Sequence, residues 1–463
     1  MTDSVIFHAA SYRDPSGFIF TKNGTLYRQV NQEYREHFDH FTRSGCYEKL
    51  VKNNLLLPHA VLDENLTGSV NWYQTLKPEE IEFITYPYEW SFSMLKDAAL
   101  LTLQILKEAI SFGMILKDAT PLNVQWFRGQ FIFIDTLSFE KFDETPWIAY
   151  RQFCETFLSP LLLMHYSKKP LEHLQLSFPE GIPLEITSSL LPSKSKFSLQ
   201  SYLHIHLHSK VSSNHAGEKQ KKVKFSKQKL LNLVYGMESM IQKLKIPKTK
   251  SIWSSYYTEA AGREDYLGQK KKIISEWLSE MKDVTKAMDL GSNNGEFSKL
   301  IAAAGIHTIA ADADPYCIDE LYSEIKKNRI ENIQPLILDL ANPSPSSGVN
   351  NRERSSFLER SAPGLAIALA LIHHLAIGKN IPFPPMATLF SQLLKNPGSK
   401  LIIEFVPKED EKVKLLLQNR RDIFNNYNEM EFLNAFKKHF VVLKEFAIPG
   451  SERILFLMER VIQ

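Results

Sequence analysis

The stretch KAMDLGSNNGEFSKLIAAAGIHTIAADADPYCIDELY, residues 286–322, sets an acid, a glycine, an asparagine and a second glycine at alternate positions: Asp289, Gly291, Asn293 and Gly295. Residues without a side chain let a strand-to-helix turn bring its backbone up to a ligand, because they accept positive φ. Asn293 belongs to the few non-glycine types that visit that region readily. A helix starting near Glu296 aims its free N–H groups at whatever lies over the turn. The next apolar run, HTIAAD, ends on Asp312, which follows Gly291 by 312 − 291 = 21 residues. That is close to the roughly 20 at which an acid grips the hydroxyls of a ribose. A carboxylate accepts both hydrogen bonds of such a diol, which a neutral side chain does less well. The chemistry these types and spacings can do is to hold a nucleoside-like cofactor.

A pyrophosphate-binding turn reads G-x-G-x-x-G and carries no acid at its start. The order Asp289, Gly291, Asn293, Gly295 resembles instead the D-x-G-x-G-x-G turn of class I S-adenosylmethionine-dependent methyltransferases, with Asn in place of the middle Gly. The resemblance covers roughly residues 250–463. It implies that the turn packs against the methionine part of S-adenosyl-L-methionine and that Asp312 holds the ribose. It also implies that Asp339, in LILDL after the third strand, meets the adenine amine. That fold ends in an antiparallel strand pair, and FVVLKEFAI-PGSE-RILFLMERV reads as two strands around a Pro-Gly turn. The implied activity is methyl transfer to an O or N atom, with no metal in this half. His373 and His374 follow the fourth strand, where the family lines its transfer pocket. A histidine there could take a proton from the acceptor, with a pKa near working pH; the other reading is structural. Methyl transfer is an in-line displacement in which positioning supplies much of the rate, so the sequence leaves open whether a base is used. Glu404, Lys408 and Asp410, in EFVPKED after the fifth strand, are expected at the same rim as substrate contacts or solvated loop. Asp314 reads as a helix N-cap with Pro315 at the first helical position. Trp253, Tyr256, Tyr257 and Tyr266 precede the turn and read as packing onto the sheet, or as closing over the cofactor.

A second constellation lies in LKDATPLNVQWFRGQFIFIDTLSFE, residues 116–140. Asn123 follows Asp118 by five residues and Asp135 follows Asn123 by twelve. This resembles the H-R-D-x-x-x-x-N loop and the metal-binding Asp of kinases, and residues 1–208 resemble the protein-kinase-like fold of aminoglycoside and sugar kinases. The resemblance implies that Asp118 accepts a hydroxyl proton while Asn123 and Asp135 hold magnesium on nucleotide phosphates. The sequence departs from that pattern in several places. Leu116-Lys117 replace His-Arg, and Thr136-Leu137 replace Phe-Gly. DPSGFIFTKNGTLYRQV has only Gly17 and Gly24, on a hairpin-like stretch. There is no V-A-I-K lysine, with Arg28 as the substitute. The expectation is a degenerate domain in which Asp118, Asn123 and Asp135 form a vestigial nucleotide or metal site and Mg-ATP binding is not expected.

The elements that must carry these residues follow from pattern and length. A chain of 463 residues suggests two or three domains. Residues 209–225, SKVSSNHAGEKQKKVKF, have linker composition. Leu230, Leu231, Val234, Met237 and Ile241 then form a helical stripe that stops at Pro247. The organisation expected is a kinase-like domain at 1–208, a basic linker and connecting helix at 209–249, and a methyltransferase domain at 250–463. After the linker, strand-like and helix-like runs alternate, which predicts a parallel sheet covered on both faces. The fold class is thus α/β: a Rossmann-like methyltransferase sheet with a terminal antiparallel hairpin, preceded by an α+β kinase-like domain. Hydrophobic residues at 44% and charged residues at 23% fit a globular protein. A net charge of +3 gives no case for nucleic-acid or membrane partners. Three scattered cysteines, no signal-peptide pattern and no membrane-length apolar run lead to the expectation of a cytoplasmic protein. The sequence has no N-P-P-Y-type amine motif of nucleic-acid enzymes, and the resemblance to small-substrate and sugar kinases implies a small molecule or saccharide as acceptor; the oligomeric state stays open. Two other readings remain: a bifunctional small-molecule or glycan kinase and methyltransferase, and a non-catalytic scaffold that binds the cofactor.

Overall fold

Asn23 and Gly24 lie between two β-prone runs, and both have positive φ, 52° and 77°, as a two-residue hairpin turn requires. They join β2 (Gly17–Lys22) to β3 (Thr25–Asn31), with β1 (Val5–Phe7) pairing to the outer side of β2. A computed structural model describes residues 5–210, 224–247, 264–418 and 420–461. The chain divides into two units, Met1–Pro247 with Gly348–Arg354, and Lys248–Ser347 with Ser355–Gln463.

In the first unit, α1 (Arg35–Arg43) and α2 (Cys46–Lys52) lead from β3 to β4 (His59–Leu62) and β5 (Trp72–Pro78). The sheet order is β1-β2-β3-β5-β4, antiparallel throughout. Ser91 caps α3 (Phe92–Ser111), whose side chains are buried on most faces. Then come β6 (Met114–Leu116), the hairpin β7 (Val124–Phe127) and β8 (Gln130–Phe133), and β9 (Phe139–Lys141), which pairs with β6. Helix α4 (Lys227–Lys243) buries Leu230, Val234, Met237 and Ile241 of the expected stripe, together with Met240, and leaves Leu231 half-buried. It lies along α3, where Lys107 Nζ meets the Glu238 carboxylate at 2.6 Å and Lys96 Nζ reaches the Leu244 carbonyl at 2.8 Å.

The second unit begins with α5 (Glu264–Glu280). It continues through β10 (Lys286–Leu290), α6 (Glu296–Ala303), β11 (His307–Asp312), α7 (Pro315–Asn328) and β12 (Ile333–Ile337). After β13 (Leu365–Ala368), α8 (Phe383–Leu393) and β14 (Lys400–Phe405) come two helices, α9 (Glu411–Leu417) and α10 (Glu429–Phe436). The hairpin β15 (Phe440–Ala447) and β16 (Ile454–Arg460) ends the chain. The seven strands run in the order β12-β11-β10-β13-β14-β16-β15. β10 to β14 are parallel and buried almost throughout, as strands covered on both faces must be. The last two are antiparallel, and edge strand β15 alternates exposed positions with ones that are half-buried after the buried Phe440. Ile274, Trp277 and Leu278 of α5 pack into one core with Ile367, Ile402 and Leu455 of the sheet. Strand order reverses at β10, which pairs with β11 on one side and β13 on the other. A ligand crevice is expected outside the carboxyl ends of strands at such a switch point. No described helix is long and apolar enough to cross a membrane.

Candidate functional site

The turn after β10 is built around three left-handed residues: Gly291 at φ 78°, Asn293 at 51° and Gly295 at 79°. The N–H groups of Gly291 and Ser292 both donate to the Ala311 carbonyl, at 2.8 and 3.0 Å, which ties the turn to the end of β11. Asp312 completes the tie. Its Oδ2 accepts the Asn293 N–H at 2.8 Å and its Oδ1 accepts the Asp314 N–H at 2.8 Å. Burial raises the Asp312 pKa, and the backbone N–H groups of Asp314 and Asn293 pull against it. Each carboxylate oxygen has two acceptor sites, so Asp312 keeps capacity for a diol while it shapes the turn.

Asp289 lies beneath. It is buried, accepts the Ser298 hydroxyl of α6 at 2.6 Å, and is pushed by burial up to about 6. Its carboxylate thus braces strand against helix. Asp339 sits two residues past β12, accepts the Ala341 N–H at 2.9 Å and pairs with Lys379 at 3.4 Å. Asp314 caps α7, accepting the Tyr316 N–H at 2.9 Å. The structure therefore gathers Gly291, Asn293, Gly295, Asp312 and Asp339 along one rim, at the carboxyl ends of β10, β11 and β12, with Asp289 buried beneath it as a brace rather than at the rim.

Two polar atoms in the turn had no sequence signal. Ser292 Oγ and Asn294 Oδ1 are buried without a hydrogen-bond partner among the described residues. Native proteins rarely leave such atoms unmet, and a polar ligand over the turn would meet them. The residues present thus fit a nucleoside-like cofactor.

His373 and His374 follow β13 at the other lip of the switch point, their rings 4.0 Å apart. Their expected pKa near working pH does not hold. Burial first, then His374 and the cations Arg453 and Lys270, hold His373 well below the ordinary imidazole value. Burial and Arg453 lower His374 to about 4. Both are neutral and weakly basic near neutral pH, and His373 is fully buried with neither ring nitrogen bonded among the described residues. The segment carries a second irregularity, a π-helical turn over His374–Gly378, a form often found at functional sites.

Glu404 is also not where the sequence suggested. It belongs to β14 and is fully buried, rather than on a rim loop. Its carboxylate takes Lys270 Nζ at 2.6 Å, the Tyr266 hydroxyl at 2.6 Å and the Ala370 N–H at 2.6 Å, with Arg453 at 3.5 Å. Burial alone would raise its pKa; Lys270 and Arg453 outweigh burial and bring it to about 2. Asp410 caps α9 and pairs with Arg453 at 2.7 Å, and Lys408 pairs with Asp422 at 2.9 Å. Tyr266 is a packing and hydrogen-bonding residue of this cluster; Trp253, Tyr256 and Tyr257 lie outside the described residues.

In the first unit, Asp118 Oδ2 accepts the Asn123 amide at 3.2 Å, and the same amide reaches Ser138 Oγ at 3.1 Å. The Ser138 hydroxyl donates to Asp135, which is ion-paired with Arg28. Burial would raise the Asp135 pKa, but Arg28 and Ser138 outweigh it and lower it. Lys117 bridges to Asp14 at 3.1 Å and donates to Ser16 Oγ at 2.7 Å. Asp118 has a raised pKa, from burial and then Asp135, and its Oδ1 is buried without a partner among the described residues. No group of three or more His, Cys, Asp or Glu among the described residues is arranged to hold a metal ion.

The second unit is thus a doubly wound α/β unit with a glycine turn and acid-tipped strands at its switch point. No family model matches the chain. It is 34% identical over 465 residues to the nodulation protein NoeA of Rhizobium meliloti (strain 1021), covering 98% of this chain and 96% of that protein. The chain belongs to the NoeA family. Solved structures similar to it include the magnesium protoporphyrin IX methyltransferase of Synechocystis PCC 6803 with bound SAH, at 15% identity and TM-score 0.31, over 42% of this chain and 84% of that one. Another is the N-methyltransferase NodS of Bradyrhizobium japonicum WM9 in complex with S-adenosyl-L-homocysteine, at 12% identity and TM-score 0.28, over 39% and 79%. A likeness at this level leaves the chemistry of the site to the residues themselves.

Proposed function

We propose that the second unit is a class I S-adenosyl-L-methionine-dependent methyltransferase acting on an O or N atom of a small-molecule or saccharide acceptor. The observation that supports it most is the Asn293 N–H to Asp312 Oδ2 bond, which couples a left-handed glycine turn to an acid at the switch point. In this reading Asp312 holds the ribose diol, the 291–295 backbone abuts the methionine part, and Asp339 meets the adenine amine while sharing Lys379. S-adenosyl-L-methionine supplies an electrophilic methyl on a sulfonium. The chain orients it and keeps water away, and alignment carries the rate. Transfer leaves S-adenosyl-L-homocysteine and frees one acceptor proton; His373 and His374, held as weak bases by burial, are poorly suited to take it, and it passes to solvent. The name of the relative speaks of nodulation and leaves the acceptor open. Methyl-labelled cofactor, incubated with the full chain and fractionated cell extracts, tests the acceptor class. Label in the small-molecule or saccharide fraction is expected. Label confined to protein or nucleic acid would contradict that class, and binding without transfer would favour the scaffold reading.

The first unit we read as a kinase-like fold without phosphotransfer, because its acids already hold its cations: Arg28 on Asp135 and Lys117 on Asp14. Mg-ATP should leave the wild-type melting temperature unchanged. Asp135→Asn should destabilise the chain by about 1–3 kcal/mol, the usual effect of leaving a buried polar partner mismatched, without touching methyl transfer. The buried Asp118 Oδ1, without a hydrogen-bond partner among the described residues, is the observation that favours the bifunctional kinase reading. A nucleotide-dependent rise in wild-type melting temperature, lost in Asp135→Asn, would overturn the expectation of no Mg-ATP binding and favour that alternative.

A further inference from the structure

Eleven described non-glycine residues have positive φ, and six of them are asparagine, whose side chain can support that conformation locally. Ala370, at φ 49°, has no such side chain. It lies two residues past β13, and support comes from outside, through Glu404 Oε2 accepting its N–H at 2.6 Å. The next residue, Leu371, lies against the cofactor turn: a Cβ built on Gly291 would sit 3.2 Å from Leu371 Cδ1. The Leu371 carbonyl then accepts the His374 N–H at 3.0 Å, which begins the turn carrying both histidines. Glu404 itself is fixed from α5 by Lys270 and Tyr266, each 2.6 Å away. A buried ion pair adds little stability over apolar packing, but it can aim one oxygen accurately.

We propose that Glu404 is a positioning residue of the cofactor site, its carboxylate held by Lys270 and Tyr266 while it accepts the Ala370 N–H and fixes the left-handed backbone that lays Leu371 against Gly291. This rests on the cofactor reading above. It makes a strand residue with no reach into the crevice a determinant of cofactor affinity. Because the effect passes through one backbone conformation, a residue that adopts that conformation freely should remove the dependence.

The test is calorimetric titration of the full chain with S-adenosyl-L-homocysteine, using wild type, Glu404→Asp, Ala370→Gly and the double variant. Glu404→Asp keeps a carboxylate for Lys270 and Arg453 but withdraws it from the Ala370 N–H. It should weaken binding about tenfold, the scale set by the penalty of left-handed alanine. In the Ala370→Gly background the same change should weaken binding less than about threefold, since glycine accepts either hand. A purely structural Glu404 would lose the same factor in both backgrounds, and that result overturns the proposal. If Glu404→Asp is not recovered folded, Ala370→Val serves, because it keeps the ion cluster and denies the left-handed backbone. It should lose binding as strongly, and wild-type affinity in it would overturn the proposal. A wild type that takes up no S-adenosyl-L-homocysteine would instead bring down the cofactor reading, and this proposal with it.

Discussion

Gly291→Val should abolish S-adenosyl-L-homocysteine binding while the first unit stays folded. Gly291 has φ 78°, where a β-branched residue is a genuine outlier. Its Cβ would meet Leu371 at 3.2 Å, and the two valine methyls would reach further into that contact. Backbone strain of about 1–3 kcal/mol adds to overpacking of about 1–3 kcal/mol. The turn escapes both by leaving the left-handed region, which breaks the Gly291 and Ser292 bonds to Ala311. The cause lies in packing within the protein, since the side chain would point at Leu371. Titration of the variant, with circular dichroism to establish folding, checks the outcome. Affinity within a few-fold of wild type in a folded variant would mean that the turn is only a connection.

Asp312→Ala should weaken the same ligand by about 1.5–3 kcal/mol, the loss expected when charged hydrogen bonds are removed, or about 10- to 150-fold. Two effects add. The ribose diol loses its acceptor, and the N–H groups of Asn293 and Asp314 lose theirs, which loosens the turn itself. Asp312→Asn should fall between, since one amide oxygen can serve one of the two N–H groups. Unchanged affinity in folded Asp312→Ala would remove Asp312 from the site.

The turn was legible because its information is local. Asn293, Gly291 and Gly295 each carry a conformational preference that survives any context, and Asp312 is positioned by a strand that pairs directly with β10. Asn23-Gly24 announced its hairpin in the same way. Long-range pairs were not legible. Glu404 looked like a rim residue because the cations that make burial of its charge tolerable, Lys270 and Arg453, lie far along the chain. Burial above all, joined by Arg453 at both rings and by Lys270 at His373, depresses the histidines, so an imidazole that looked poised for proton transfer is held neutral. Arg28 was suggested by its strand, but its pairing with Asp135 depends on two elements meeting across the first unit. Ser292 and Asn294 gave no signal because an unmet polar atom is a property of packing.

The central claim is that the 289–312 region holds S-adenosyl-L-methionine, and direct titration of the full wild-type chain with S-adenosyl-L-methionine and with Mg-ATP tests it most directly. The account predicts saturable, single-site heat for S-adenosyl-L-methionine and none for Mg-ATP. No heat for S-adenosyl-L-methionine from folded protein would contradict it.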